Sequence, residues 1–340
     1  MPQDGKVTRW LSEVRARMSR SAHSRPWERQ PYDTEWSEYR KLSAVLKSVA
    51  AKVLVERDRH LRDVPYEYYA MGLDPRMVYS CAYFENGDED LATAQLKKID
   101  RVLTKIGLEP GHSLLDVDCG WGALVIRAAE KFGARCVGIT QSKHQFDWAN
   151  ECIKAAGLAE RVEIRLQAYP DVKGRFDRIT SLGMFEFDSR GDLLDYFAIL
   201  QEHLATDGVL VSHGIMSAGS GSGEFGSDGG EFAGRYVFPD DELPDLGYAL
   251  NAMREGGLEV SDIQNLRRHC VRTLRLWEEN LKAKSMALRQ HADDRSFQTW
   301  RDYLSGWATA LEHDDVAIYE IVGRKVGTHA SALPWPGAVG

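Results

Sequence analysis

Between residues 112 and 216 short apolar runs alternate with amphipathic stretches, and this alternation constrains the fold more than any other feature of the chain. HSLLDVD at 112–118 reads as a buried strand, CGWG as a turn, and ALVIRAAEKF at 123–132 as a helix. RCVGIT at 135–140 is a second strand, followed by a helix through Ala156. RVEIRLQ at 161–167 and FDRITSLG at 176–183 are the third and fourth strands. A helix carrying Leu193, Leu194, Phe197 and Leu200 leads into strand GVLVSHGIM at 208–216. LEVSDIQNLR at 258–267 and VAIYEIVGRK at 316–325 complete the set. Such β-α-β alternation predicts an α/β fold, a doubly wound, mostly parallel, seven-stranded Rossmann-like sheet with helices on both faces. Its ligand belongs at the carboxyl ends of the strands.

The flanks read differently. Residues 1–65 form a helical N-terminal extension. Within it, 1–30 carry seven Lys/Arg against three Asp/Glu, with Trp10, Val14 and Met18 at helical spacing. A membrane-surface helix and a docked or frayed terminal helix both fit this pattern, and the second is favoured. Residues 33–62 read as one helix capped by Asp33, with an apolar stripe from Trp36 to Val53. The main domain runs over 66–326, with lid or substrate-side segments at 217–256 and 270–311. The first of these includes the Gly/Ser-rich tract 217–230, and helices are expected over 239–256 and 270–311. Residues 327–340 are a tail.

A formal net charge of −8 argues against a broad nucleic-acid surface, which needs a basic stripe. No apolar run reaches membrane-spanning length, and no signal-peptide core stands at the N-terminus. Five scattered cysteines without a C-x-x-C pair predict free thiols in a reducing cytoplasm and no metal site.

The chemistry starts at 116–122, DVDCGWG, where glycines let the backbone approach a ligand and the next helix N-terminus favours an anionic group. The spacing is neither a dinucleotide fingerprint nor a phosphate loop. Four further strings accompany it: YSCAYF at 79–84, CVGITQSKHQ at 136–145, GMFEF at 183–187 and RTLRLW at 272–277. Together, in this order, they resemble the cyclopropane fatty acid synthase family, including the mycolic acid cyclopropane synthases. The resemblance runs from about Tyr66 to Lys325. It implies a class I methyltransferase fold that binds S-adenosylmethionine. Tyr79, Ser80, Asp116, Asp118, Gly120, Gly122, Thr140, Gln141, Gln145 and Tyr169 are the positions expected around the cofactor. Thr140 and Gln145 suit ribose hydroxyls, and Tyr169 offers either a ring face to adenine or ordinary packing.

The resemblance further implies attack of an alkene on the sulfonium methyl, then loss of a proton from the new methyl group as the ring closes. Such a site needs an apolar cavity, aromatic faces for a passing cation and a base. In the family the base resembles a bicarbonate ion held by a Cys, a Glu, a His, a Tyr and main chain. Carried over, these are Cys81, Glu186, His213 and the main chain of Leu182, with Cys270 where the family has the Tyr. Taken singly, Cys81 reads equally as a small core residue, Glu186 as a helix cap and His213 as a satisfied buried histidine.

The departures are specific. Asp118 stands where the family motif DVGCGWG has glycine, either to pair with the cofactor's ammonium group or to crowd the site. Phe187 replaces a histidine beside Glu186, and the family's HYDxxxxFY becomes LRDVPYEYY at 61–69. The cofactor half is thus better kept than the base half. The expectation is a methyltransferase acting on an alkene in an acyl chain or apolar natural product, with no strong dependence on bicarbonate. Two alternatives stand beside it. One is a tailoring N-, O- or C-methyltransferase or cyclase; the other is an inactive cofactor-binding regulator.

Overall fold

The computed structural model describes residues 66–183, 193–218, 243–285 and 294–327. The expected N-terminal extension, most of the Gly/Ser tract, the 184–192 segment with Glu186 and Phe187, and the tail lie outside the described residues.

Helices α1 (Tyr66–Gly72) and α2 (Leu91–Lys105) precede strand β1 (Ser113–Val117), helix α3 (Ala123–Phe132) and strand β2 (Arg135–Thr140). Helix α4 (Lys143–Ala155), β3 (Val162–Leu166), β4 (Phe176–Leu182), α5 (Leu193–His203) and β5 (Leu204–Ser217) continue the alternation. Then come α6 (Leu246–Glu255), β6 (Leu258–Asn265), α7 (Arg267–Ala283), α8 (Asp294–Glu312) and β7 (Val316–Lys325). The seven strands lie in the order β3-β2-β1-β4-β5-β7-β6, as the doubly wound reading expects. Strands β3 to β5 pair in parallel, and β7 runs antiparallel to both of its neighbours. The chain winds outward in both directions from β1 and β4, so the switch point lies between their carboxyl ends.

Alternation along each strand divides two cores. Leu114 packs with Ile99, Val102 and Leu103 of α2 and Leu124 and Val125 of α3, whereas Leu115 and Val117 pack with Tyr196, Phe197 and Leu200 of α5. Each fully buried side chain of this size contributes about 1.5–3 kcal/mol.

Three boundaries differ from expectation. Strand β5 starts at Leu204, which pairs with Phe176 before the register shifts; Asp207, at φ +62°, makes the irregularity that reads as a turn. The helix expected from 239 starts at Leu246, because Pro244 interrupts and Asp245 caps it by accepting from the Tyr248 N–H at 2.8 Å. Among the described residues, the expected block 270–311 holds helices α7 and α8, the first of which begins at Arg267. Among the described residues no helix is long and apolar enough to cross a membrane.

Candidate active site at the switch point

The turn after β1 is built from left-handed backbone. Asp118 has φ +56°, Gly120 +53° and Gly122 +86°. This explains why a glycine suits position 118, and why aspartate, which tolerates that region better than most residues, keeps the turn. A Cβ on Gly122 would lie 3.0 Å from the Ala149 Cβ, so α3 and α4 can approach only with glycine there. At Gly120 a Cβ would meet nothing within 4 Å, which leaves open space in front of this part of the turn. Asp116 sits beneath it, and Thr180, its register partner on β4, donates to Oδ1 at 2.5 Å. Burial pushes the Asp116 carboxyl up to about 7, and Asp118 adds to that while Thr180 and Lys98 oppose it.

At the end of β2 the Thr140 hydroxyl donates to Gln145 Oε1 at 2.7 Å and accepts from the Ser142 N–H at 3.1 Å. Thr140 therefore orients the Gln145 amide, whose nitrogen is left as a donor. Gln141 is exposed. Tyr169 lies half-buried in a short helical turn after β3, its ring edge-on to Tyr196 at 5.1 Å.

The 73–85 loop lies on α2 and α7. The Asp74 carboxylate accepts from the Val78 N–H at 2.9 Å and the Arg76 N–H at 3.1 Å. The Gln95 amide donates to the Ser80 carbonyl at 2.8 Å, and Lys98 Nζ donates to Ser80 Oγ at 2.7 Å. Ala82 N–H donates to Thr273 Oγ1 at 3.0 Å, and Phe84 N–H to His269 Nδ1 at 3.2 Å. These contacts bring Cys81 against Cys270. Both are buried, and the Leu266 carbonyl accepts from the Cys270 N–H at 3.0 Å and lies 3.9 Å from the Cys81 sulfur. Burial, and then the Cys270 thiol beside it, pushes the Cys81 thiol well up, so it is protonated at neutral pH.

Aromatic rings line the neighbouring wall. Tyr79 stacks on Trp277 at 5.2 Å and meets the edge of Tyr69 at 5.3 Å; Tyr69 in turn lies 5.6 Å from Trp121. Tyr69, Leu73, Tyr79, Trp277, Leu281 and Leu304 line a small apolar pocket.

His213 is buried on β5, level with Leu182 on β4 and Glu320 on β7. Its Nε2 lies 2.7 Å from Glu320 Oε2, and its Nδ1 is buried with no hydrogen-bond partner among the described residues. The other Glu320 oxygen takes Arg101 at 2.7 Å and Lys105 at 2.6 Å. Burial alone would raise the Glu320 carboxyl. The His213 hydrogen bond and the two cations outweigh burial and hold it well below the usual range. Burial lowers the His213 pKa despite Glu320. The pair is therefore a neutral imidazole donating Nε2–H to a carboxylate, with a bare lone pair on Nδ1.

Sequence reasoning missed Glu320, Arg101 and Lys98. The signal was present: Gln95 and Lys98 stand on the face of α2 that carries Leu91, Ala94, Ile99 and Val102, and Glu320 interrupts the apolar run of β7.

Comparison with known proteins agrees with this geometry. Residues 51–321 match the family model for mycolic acid cyclopropane synthetase. The chain is 38% identical over 278 residues to a probable fatty acid methyltransferase of Pseudomonas putida, covering 80% of this chain and 70% of that one. It is 32% identical over 259 residues to the S-adenosylmethionine-dependent methyltransferase UmaA of Mycobacterium tuberculosis, covering 74% and 91%. The structure of mycolic acid cyclopropane synthase CmaA1 complexed with SAH and CTAB superposes with a TM-score of 0.72 at 30% identity, covering 77% of this chain and 95% of that one. The chain belongs to the mycolic acid cyclopropane synthetase family of S-adenosylmethionine-dependent methyltransferases.

Proposed function

We propose that this enzyme methylates or cyclopropanates an alkene in an acyl chain or apolar natural product, with His213, oriented by Glu320, as the proton acceptor. The observation that carries the reading is the buried Nδ1 of His213, unpartnered among the described residues. Three observations support the cofactor reading: open space in front of Gly120, the amide nitrogen of Gln145 left as a donor, and the Ser80 hydroxyl with its hydrogen left to donate. S-adenosylmethionine supplies an electrophilic methyl group on sulfur. The apolar lining formed by Tyr69, Leu73, Tyr79 and Trp277 suits an apolar substrate, and aromatic rings there suit a passing cation. His213 Nδ1 then takes the proton released from the new methyl group as the ring closes, and Glu320 stabilises the imidazolium. Glu186, from the segment outside the described residues, is the second candidate base.

Cys270 bears on bicarbonate. A thiol is a weak donor, so an anion at Cys81 and Cys270 lacks the hydrogen bond that a tyrosine would give, at a cost of about 1–3 kcal/mol. His213 acting directly removes the need for that anion. The substrate is an acyl chain or small molecule and not nucleic acid, and free thiols at all five cysteines suit a reducing cytoplasm.

The test is turnover of trideuteromethyl-labelled S-adenosylmethionine with monounsaturated acyl substrates, read by mass spectrometry and proton NMR. Cyclopropane product that has lost one deuterium from the labelled methyl supports the reading. Labelled product on nitrogen or oxygen of another substrate, with alkenes untouched, overturns it.

A further inference from the structure

Lys98 is a cation in an unusual place. It sits on the buried face of α2 with 3% of its surface exposed, and among the described residues Ser80 Oγ is its hydrogen-bond acceptor. An ammonium only donates, so the Ser80 oxygen is committed as an acceptor and its hydrogen is left to donate outward. Ser80 itself is half-buried and stands beside Tyr79, which lines the apolar pocket. Gln95, one turn before Lys98, holds the Ser80 carbonyl and so fixes the backbone that carries the hydroxyl.

A buried charge needs compensation. The charged and titratable groups facing Lys98 are Asp74 and Cys81 from the 73–85 loop, Asp116 from β1, His213 from β5 and Glu320 from β7. Glu320 is already committed to Arg101, Lys105 and His213, and Asp74 to two backbone N–H groups. Cys81 is a neutral thiol, and Asp116 takes up a proton near neutrality. The positive charge under Ser80 is thus matched weakly by its surroundings.

We propose that Lys98 is a positioning residue for the carboxylate of the cofactor's amino-acid end: it turns the Ser80 hydroxyl into a fixed donor and supplies the countercharge behind it. The inference rests on the cofactor reading of Ser80. It gives the site a pH dependence. Burial, opposed by the nearby acids, lowers Lys98 to about 8, and an arriving carboxylate raises it again. Binding therefore takes up a proton in that range, and affinity falls as pH rises above about 8.

The test is calorimetric titration of the full-length protein with S-adenosylhomocysteine and with 5′-methylthioadenosine, which lacks the amino-acid end. Lys98→Met is expected to weaken S-adenosylhomocysteine about tenfold or more at pH 7 while 5′-methylthioadenosine is unchanged. Ser80→Ala, which leaves the buried helix face intact, is expected to act in the same selective way should Lys98→Met fold poorly. Between pH 7 and 9.5 the wild type is expected to lose more S-adenosylhomocysteine affinity than Lys98→Met, the ligand's own ammonium titrating equally in both. Equal weakening of both ligands by Lys98→Met and by Ser80→Ala would overturn the proposal and leave Lys98 a structural residue. Unchanged S-adenosylhomocysteine affinity in both variants would also overturn it. Failure of the wild type to bind either ligand would remove the cofactor reading itself.

Discussion

The turn after β1 and the polar group between β5 and β7 stand at the same carboxyl edge of the sheet, yet they are built from different materials. The turn is shaped by backbone: residues at 118, 120 and 122 are left-handed. The polar group is side chain: His213, Glu320, Arg101 and Lys105 come from three elements and meet only after the sheet has closed. A site of the first kind tolerates changes that respect φ. A site of the second kind tolerates almost none, because each partner compensates another.

The largest expected effect therefore lies in the polar group. Glu320→Gln removes the carboxylate that fixes the His213 tautomer and leaves Arg101 without its carboxylate partner, while Lys105 keeps Asp262. Turnover is expected to fall about 10²–10⁴-fold, with S-adenosylhomocysteine affinity nearly unchanged. Steady-state kinetics beside calorimetry check this, and a variant with wild-type turnover would reduce Glu320 to a structural ion pair.

In the turn, the same contrast predicts opposite signs for two conservative changes. Gly122→Ala puts a Cβ against Ala149 at φ +86° and is expected to cost about 1–3 kcal/mol and weaken cofactor binding. Asp118→Gly relieves a left-handed aspartate and is expected to leave stability equal or higher by about 0.5–1 kcal/mol. Denaturant unfolding of both variants gives the comparison directly.

This difference in materials also explains what was legible in the sequence. The strand–helix alternation, the glycine turn and the end of β2 are local patterns, so their bounds emerge closely: β2 and β7 run over the expected residues. Cys81, Cys270 and His213 were reachable through the resemblance, and the loop on α7 brings the two thiols together. Glu320 shows in the sequence only as a break in the apolar run of β7, and its pairing with His213 depends on the antiparallel register of β7 with β5, which no local pattern encodes. Thr140 read as a ligand group, and its hydroxyl also donates to Gln145, a contact visible only once α4 is in place.

A smaller effect comes from Asp116, where the two regions come closest in character. Its carboxyl is raised to about 7, so between about pH 4 and 7 the folded protein holds a proton that the unfolded chain has released. Stability from this group is full below about pH 4 and is lost as pH rises through 7. Asp116→Asn, which still accepts from Thr180, is expected to lack that loss, so its Tm should gain a few degrees on the wild type between pH 5 and 8. Parallel Tm profiles would contradict the buried, proton-holding carboxyl.

The most direct test of the account is whether His213, paired with Glu320, takes the proton without help from a bound anion. The measurement is the initial rate on a monounsaturated acyl substrate in degassed, carbonate-free buffer, before and after adding bicarbonate. The account predicts a rate that changes by less than about twofold on the addition, and that collapses in His213→Ala while circular dichroism shows a folded protein. Turnover that is absent without bicarbonate and restored by it would contradict the account, returning the base to a bound anion and His213 to one of its holders.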